Sequence, residues 1–425
     1  MTIQYCHDYR VPCVVMRGGT TRGYFFQPHD IPHERAIRDQ LFLDIVAGQD
    51  LRPADGLGGN DMLLNKVVQV RASDRVDVDI ECTFGVITPG SARVKYGSNC
   101  GNLVSAVALY AVEEGLCREL NGTVRLLNPQ TGAQIDARFI EAAEFRERAA
   151  RLKTAGMVMN GVPVELAFIN PASTIGRGLL PSGRAIDRLR LQSGAKIDAS
   201  IVDSGNVYVF VAAKDLGLEF ATARLNPEQK REILMNAEKL RGQAAVLCGL
   251  VDKPENALGL TPAVPKISIV SPPHEYVVNG NQRLDGREVD MLGRIVSSQN
   301  LHTGYAVTGA IATIAAAVVP GSVVNRVVGT DMMSPMALRI GHPSGMIEPR
   351  QDWQTTGDGI TIHRTYAIRT ARRLMTGTAY VAQMAAPLDV VSGQNINASP
   401  DKLLLNSRLE FTIGRSELLG PGHGF

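Results

Sequence analysis

The sequence has no strong excess of charge of either sign. Its 44 Lys and Arg against 42 Asp and Glu leave a formal net charge of +2, so neither nucleic acid nor a membrane surface is expected as a partner. It has no long hydrophobic run. The longest, Ala310 to Val319, is interrupted by Thr313 and is too short to span a bilayer. It has no secretory pattern at its start, where Met1 to Asp8 lack an apolar stretch and a small-residue cleavage site. It has no C-x-x-C pair among Cys6, Cys13, Cys82, Cys100, Cys117 and Cys248, which argues against a zinc ribbon or a thioredoxin-type site. Reduced thiols in a cytoplasmic protein are the expectation.

The 425 residues leave room for two or three domains, and 44% hydrophobic with 20% charged content is ordinary for a globular chain. The most informative stretch is Ser98-Asn99-Cys100-Gly101-Asn102, followed by Leu103 to Val112, which has no polar face. Such a segment reads as a helix buried all round. Cys100 then stands just before a buried helix N-terminus, where unpaired N–H groups and the helix dipole favour an anion. That position suits a thiolate and equally a substrate carboxylate. The plainer reading is a packing cysteine, but the flanking Asn and Gly shape turns and caps rather than fill cores.

Short strand patterns dominate the first half. Val11 to Met16 runs into the turn cluster Arg17-Gly18-Gly19-Thr20-Thr21-Arg22-Gly23, and Tyr24 to Phe26 resumes a strand. Ile31 to Val46 has helical spacing. The glycine-rich loop Asp55 to Asp61 precedes a strand in which Leu64, Lys66, Val68 and Val70 share a face, and Val76 to Cys82 alternates. The second half repeats the plan loosely. Ile201 to Val211 reads as strand, turn, strand; Asn226 to Leu240 as a surface helix with Pro227 at its start; Lys266 to Val270 as a strand. Thr308 to Val319 is a second helix apolar on all sides.

A helix with no polar face needs cover all round, which a curled sheet supplies. A doubly wound fold would need amphipathic crossover helices, and the sequence shows none. The prediction is an α+β fold of two similar domains, each a β-barrel wrapped around a central helix. Residues 1–185 would form the first, with Lys66 and Cys100, and residues 186–385 the second. Residues 386–425 would be a C-terminal segment closing onto a domain as a strand.

Six motifs occur in order: Met16 to Gly23, Gly56 to Asn60, Lys66-Val67-Val68, Ser98 to Asn102, His302 to Ala310 and His342-Pro343-Ser344-Gly345. Together they resemble the family of 2-methylaconitate isomerases and 4-oxalomesaconate tautomerases. The resemblance implies the diaminopimelate-epimerase-like fold, with an active site between two similar domains. It implies no cofactor, no metal, a homodimer, and proton transfer on a small polycarboxylate. It puts 4-oxalomesaconate first as substrate, in ring-cleavage catabolism of protocatechuate and other lignin-derived aromatics, with 2-methylaconitate as the alternative. Epimerases of this fold use two cysteines, one at each central helix. The second entrance here, Val307-Thr308-Gly309-Ala310, has none. The isomerases use a lysine instead, and the matching residue is Lys66.

From its strand pattern alone, Lys66 reads equally as a lysine with its head in water and as an ammonium in a cleft, able to give and take protons. A 1,3-allylic isomerisation removes a proton at one allylic carbon, forms an extended dienolate and returns a proton two carbons away. It needs two proton carriers and fixed donors for the growing negative charge. The resemblance assigns Cys100 as base and Lys66 as donor. Carboxylates are expected at Arg17, Thr20, Thr21, Gly101, Asn102, Ser271, Thr308, Gly309, Ser344 and Gly345, although Gly and Thr are also turn and cap formers. His302 and His342 are further candidate partners. A cysteine hydrolase, which needs a nearby histidine base, and a non-catalytic carboxylate binder are the competing classes.

Overall fold

The apolar segment after Cys100 forms the helix Gly101–Glu113, and a sheet encloses it. The computed structural model describes residues 9–47, 53–88, 93–117, 122–151, 160–278, 282–297, 300–329, 336–357 and 359–381. The segment 386–425, expected to add a closing strand, lies outside these residues. Leu103, Val104, Ala106, Val107 and Ala108 of the helix are completely buried, against Val68, Val70, Phe84, Leu126, Ile135 and Leu166 of the strands around it. Side chains alternate across a strand. The inward set is apolar on strand after strand, so the sheet curls to bury it.

Hydrogen bonds close this sheet into a ring. Tyr9–Gly18, Thr21–Phe26, Lys66–Ala72, Ile80–Ile87, Thr123–Asn128, Ala133–Phe139 and Val162–Ile169 follow one another. The long strand Gly359–Val381 pairs antiparallel with both the last and the first of them. The second sheet runs in the order Gly345–Ile347, Ile340–His342, Met291–Ser297, Lys266–Ser271, Asn206–Ala212, Lys196–Ser204 and Asp187–Arg190. The second apolar helix, Val307–Ala317, packs with Val202, Tyr208, Phe210, Val270 and Ile295. The helix Pro227–Leu247 packs with alternate residues of the same strands, Val207, Val209, Val211, Ile267 and Ile269. Its start is fixed by a reciprocal cap: the Gln229 N–H donates to Asn226 Oδ1, and the Asn226 N–H donates to Gln229 Oε1.

The two halves share one plan. Each contains an antiparallel hairpin whose turn carries a glycine at positive φ, Gly19 or Gly205. The third residue of the hairpin's second strand, Gly23 or Tyr208, pairs in parallel with the first residue of the next strand, Lys66 or Lys266. An antiparallel strand follows, Ile80–Ile87 or Met291–Ser297, and then the central helix. This is the α+β, diaminopimelate-epimerase-like architecture.

Three details differ from expectation. Arg350–Thr356 and Gly359–Val381 bond into the first sheet, so residues 186–385 are not one continuous half. Seven strands in a row leave two edges unpaired, and a strand of 23 residues is long enough to satisfy both. The alternation from Val76 becomes strand only at Ile80, because Arg75 pairs with Asp77 and Val76 is 94% exposed. Leu64 lies in the helical turn Met62–Leu64 that precedes the Lys66 strand. Among the described residues, no helix is long and apolar enough to cross a membrane.

Candidate active site

The two central helices meet head to head. A Cβ on Gly101 would stand 2.5 Å from Cβ of Val307, so the approach requires glycine there. Cys100 and Ala306 are the N-cap residues, and neither caps its helix with a side chain. Two positive helix ends with unpaired N–H groups therefore converge, an arrangement that favours an anion between them. The cavity at this junction is lined by Cys100, Gly101, Asn102, Val307 and Thr308 from the helix ends. Lys66, Lys95 and Lys266 line it too, and among the described residues no Asp or Glu does.

Cys100 is buried, and Lys66 Nζ donates to its Sγ at 3.4 Å. Lys66 opens its strand on the inward face that carries Val68 and Val70. Behind it, buried Asn65 clamps the glycine loop. Asn65 Oδ1 accepts from the Gly59 N–H and Asn65 Nδ2 donates to the Gly59 carbonyl, both at 2.7 Å. A Cβ on Gly58 would lie 2.4 Å from the Val46 carbonyl oxygen. The loop glycines thus permit close backbone packing that fixes the residue before Lys66.

Around this pair the polar side chains are held in fixed orientations. Asn99 Oδ1 accepts from Asn128 Nδ2 and from the Thr131 hydroxyl, both at 2.8 Å, which leaves its NH2 group to donate. Thr308 shares a hydrogen bond of 3.1 Å with the Tyr208 hydroxyl. His302 Nδ1 accepts from the Gly304 N–H at 3.0 Å, and burial pushes its pKa down to about 4. It is neutral near pH 7, and this hydrogen bond assigns the proton to Nε2. Burial lowers the pKa of Lys95. Burial first, and then the charge of Lys66, push Lys266 down to about 8.

Other expected residues serve the frame. Arg17 donates to the carbonyls of Gly19, Thr370 and Asn160. Asn102 Nδ2 donates to the hydroxyls of Thr20 at 3.2 Å and Thr21 at 3.1 Å, and its Oδ1 accepts from Arg369 Nε at 2.9 Å. Ser271 accepts from the Ala221 N–H at 2.9 Å. A Cβ on Gly309 would meet Ile295 Cδ1 at 2.4 Å. Ser344 donates to the Thr303 carbonyl, and the Gly345 carbonyl accepts from Tyr276. His342 is buried and pushed down to about 3, by burial first and then by Arg369. The structure therefore brings Thr21, Lys66, Cys100, Gly101, Asn102, His302 and Thr308 to one cavity. Arg17, Thr20, Ser271, Gly309, Ser344 and Gly345 do not line it. Lys95, Tyr208 and Lys266 do, without having been singled out in the sequence, and so does Asn99, read there only as a turn or cap former. Lys266 carried a signal, since Lys266 to Val270 places a lysine at the head of an apolar strand as Lys66 to Val70 does. Among the described residues, no cluster of three or more His, Cys, Asp or Glu is placed to hold a metal ion.

Fold and converging helix ends place the protein among the epimerase-like isomerases. The chain belongs to the PrpF protein family, whose model matches residues 8–382. It is 32% identical over 376 residues to the 3-methylitaconate isomerase of Eubacterium barkeri, covering 88% of this chain and 97% of that one. It is 29% identical over 384 residues to the 2-methyl-aconitate isomerase of Shewanella oneidensis, covering 87% and 96%. It is 29% identical over 338 residues to the 4-oxalomesaconate tautomerase of Pseudomonas putida, covering 79% and 87%. The crystal structure of methylitaconate-delta-isomerase matches with a TM-score of 0.66 at 31% identity, covering 88% and 96%. A hydroxyproline epimerase from Agrobacterium vitis shares the fold, with a TM-score of 0.52 at 11% identity over 88% and 94% of the two chains. The protein is an isomerase.

Proposed function

We propose that the protein catalyses a 1,3-allylic isomerisation of a small unsaturated polycarboxylate, with Cys100 as base and Lys66 as proton donor. The observation that carries this reading is the 3.4 Å contact of Lys66 Nζ with Cys100 Sγ at two uncapped helix ends. The termini of an allyl unit lie closer together than that, so the pair can serve both from one side. The Cys100 thiolate takes a proton from one allylic carbon. The electron pair spreads over the dienolate and its carbonyl oxygens, where the N–H groups of both helix ends stabilise it. Lys66 delivers a proton two carbons away. The thiol then holds one proton more and the amine one fewer, and their hydrogen bond returns the proton to Lys66.

Three lysines, with no carboxylate among the described lining residues, suit a tricarboxylate better than a dicarboxylate. That sets the dicarboxylate methylitaconate behind the two tricarboxylates, and between those two the resemblance of motifs alone puts 4-oxalomesaconate first and 2-methylaconitate second. The hydrogen bond of Cys100 goes to a lysine rather than to a histidine, which disfavours a cysteine hydrolase. The test is proton NMR in deuterium oxide with each of the three substrates. Isomerisation with deuterium entering carbon-bound positions is expected, with the highest kcat/KM for 4-oxalomesaconate. An enzyme that moves the double bond of none of the three would refute the reading.

A further inference from the structure

The second half of the chain has kept one chemical feature of the first and lost another. Its helix entrance holds Ala306 where the first holds Cys100. Its counterpart of Lys66 remains a lysine. Lys266 and Lys66 each open a strand that pairs in parallel with the third residue of the preceding hairpin strand. Both line the cavity between the helix ends. Lys66 is engaged with Cys100, whereas no carboxylate among the described residues pairs with Lys266. The titratable groups that face Lys266 are Tyr208 from the neighbouring strand, whose ring lies 5.8 Å from its Nζ, Lys66 and Cys100 across the cavity, and His302 from the loop before the second helix. Tyr208 and His302 are neutral near pH 7, Lys66 repels, and Cys100, which favours the charged form, is already hydrogen-bonded to Lys66. A cation desolvated among such neighbours lacks a counter-ion of its own.

We propose that Lys266 is a substrate-binding residue that takes a carboxylate of the polycarboxylate substrate, holding it from the second half against the Lys66–Cys100 pair of the first. This rests on reading the cavity as a polycarboxylate site. Burial and the nearby charge of Lys66 hold Lys266 down to about 8. A bound carboxylate favours the ammonium form, so binding above pH 8 draws a proton onto Lys266. Affinity is then full below pH 8 and weakens as the pH rises through it.

Tricarballylate, a saturated tricarboxylate with no double bond to move, is the probe. Its binding to the full chain is measured by isothermal titration calorimetry at pH 7 and pH 8.5, in buffers of different ionisation enthalpy. Lys266→Met is expected to raise Kd tenfold or more at pH 7. The wild type is expected to take up most of one proton on binding at pH 8.5. Lys266→Arg is expected to bind without that uptake, because its guanidinium stays charged. If Lys266→Met does not fold, the loss of proton uptake in Lys266→Arg carries the test. A Kd within twofold of wild type in Lys266→Met, uptake that persists in Lys266→Arg, or no binding by the wild type overturns the proposal. Lys266-dependent binding by an enzyme that isomerises none of the three substrates would instead overturn the proposed reaction alone.

Discussion

Cys100 differs from the other described buried cysteines in its surroundings more than in its burial. Cys13, Cys82 and Cys248 are buried with their thiols pushed up to about 12 by desolvation. None of them lines the cavity, and they serve as small apolar packing groups. Cys100 has an ammonium donor at 3.4 Å and a helix N-terminus beside it. Cys100→Ala should therefore lower kcat by about 10² to 10⁴, the range of general-base catalysis, with an unchanged melting temperature. Lys66→Met should bind substrate and fail to isomerise it. Deuterium exchange, read carbon by carbon by NMR, should vanish at one allylic carbon in the first variant and at the other in the second. Loss at the same carbon in both would mean that one residue carries both protons.

At the scale of elements, the site is a consequence of two helix ends brought into contact. Gly101 is the residue that permits it, since a Cβ there would sit 2.5 Å from that of Val307. Alanine is ordinarily the better helix former by about 1 kcal/mol. The overlap reverses that sign, because overpacking a rigid contact costs about 1–3 kcal/mol. Gly101→Ala should lower the melting temperature and reduce kcat/KM together. Gly259, in the short helix Ala257–Leu260, has nothing within 4 Å of its Cβ position and is the control. Gly259→Ala should leave both quantities unchanged or slightly raise stability. A Gly101→Ala protein as stable and active as wild type would show that the helices can separate without cost.

At the scale of the whole molecule, the strand Gly359–Val381 decides what can fold alone. It pairs with Tyr9–Gly18 along one stretch and with Val162–Ile169 along another. A fragment ending at residue 185 lacks both pairings and exposes two strand edges. It also leaves the head of the helix Gly101–Glu113 without Val307. Residues 1–185 expressed alone should show no dispersed amide spectrum, whereas addition of the rest of the chain should restore one. A well-dispersed spectrum from the fragment alone would overturn this account.

Much of this was legible in the sequence because it rests on local pattern. The segments after Cys100 and from Thr308 lack a polar face, and only a surrounding sheet can bury such a helix. Pro227, next to Asn226, marks a helix start by local chemistry alone, and the helix begins there. The pairing of Cys100 with Lys66 came from a resemblance of motifs, since 34 residues separate them and no periodicity links them. What the sequence could not show depends on contacts between distant segments. Arg17 and Ser344 have the side chains of a carboxylate site, yet backbone carbonyls take their donors, all but that of Gly19 lying 41 to 353 residues away. Lys266 stands 200 positions from Lys66, and only the parallel registers of the two sheets place both in one cavity. The sequence by itself determined two buried helices and a thiol at the entrance of the first, because hydrophobic pattern and helix-end electrostatics act over a few residues. Tertiary structure alone decided which cations surround that thiol, because long-range strand pairing chooses the neighbours of each strand's first residue.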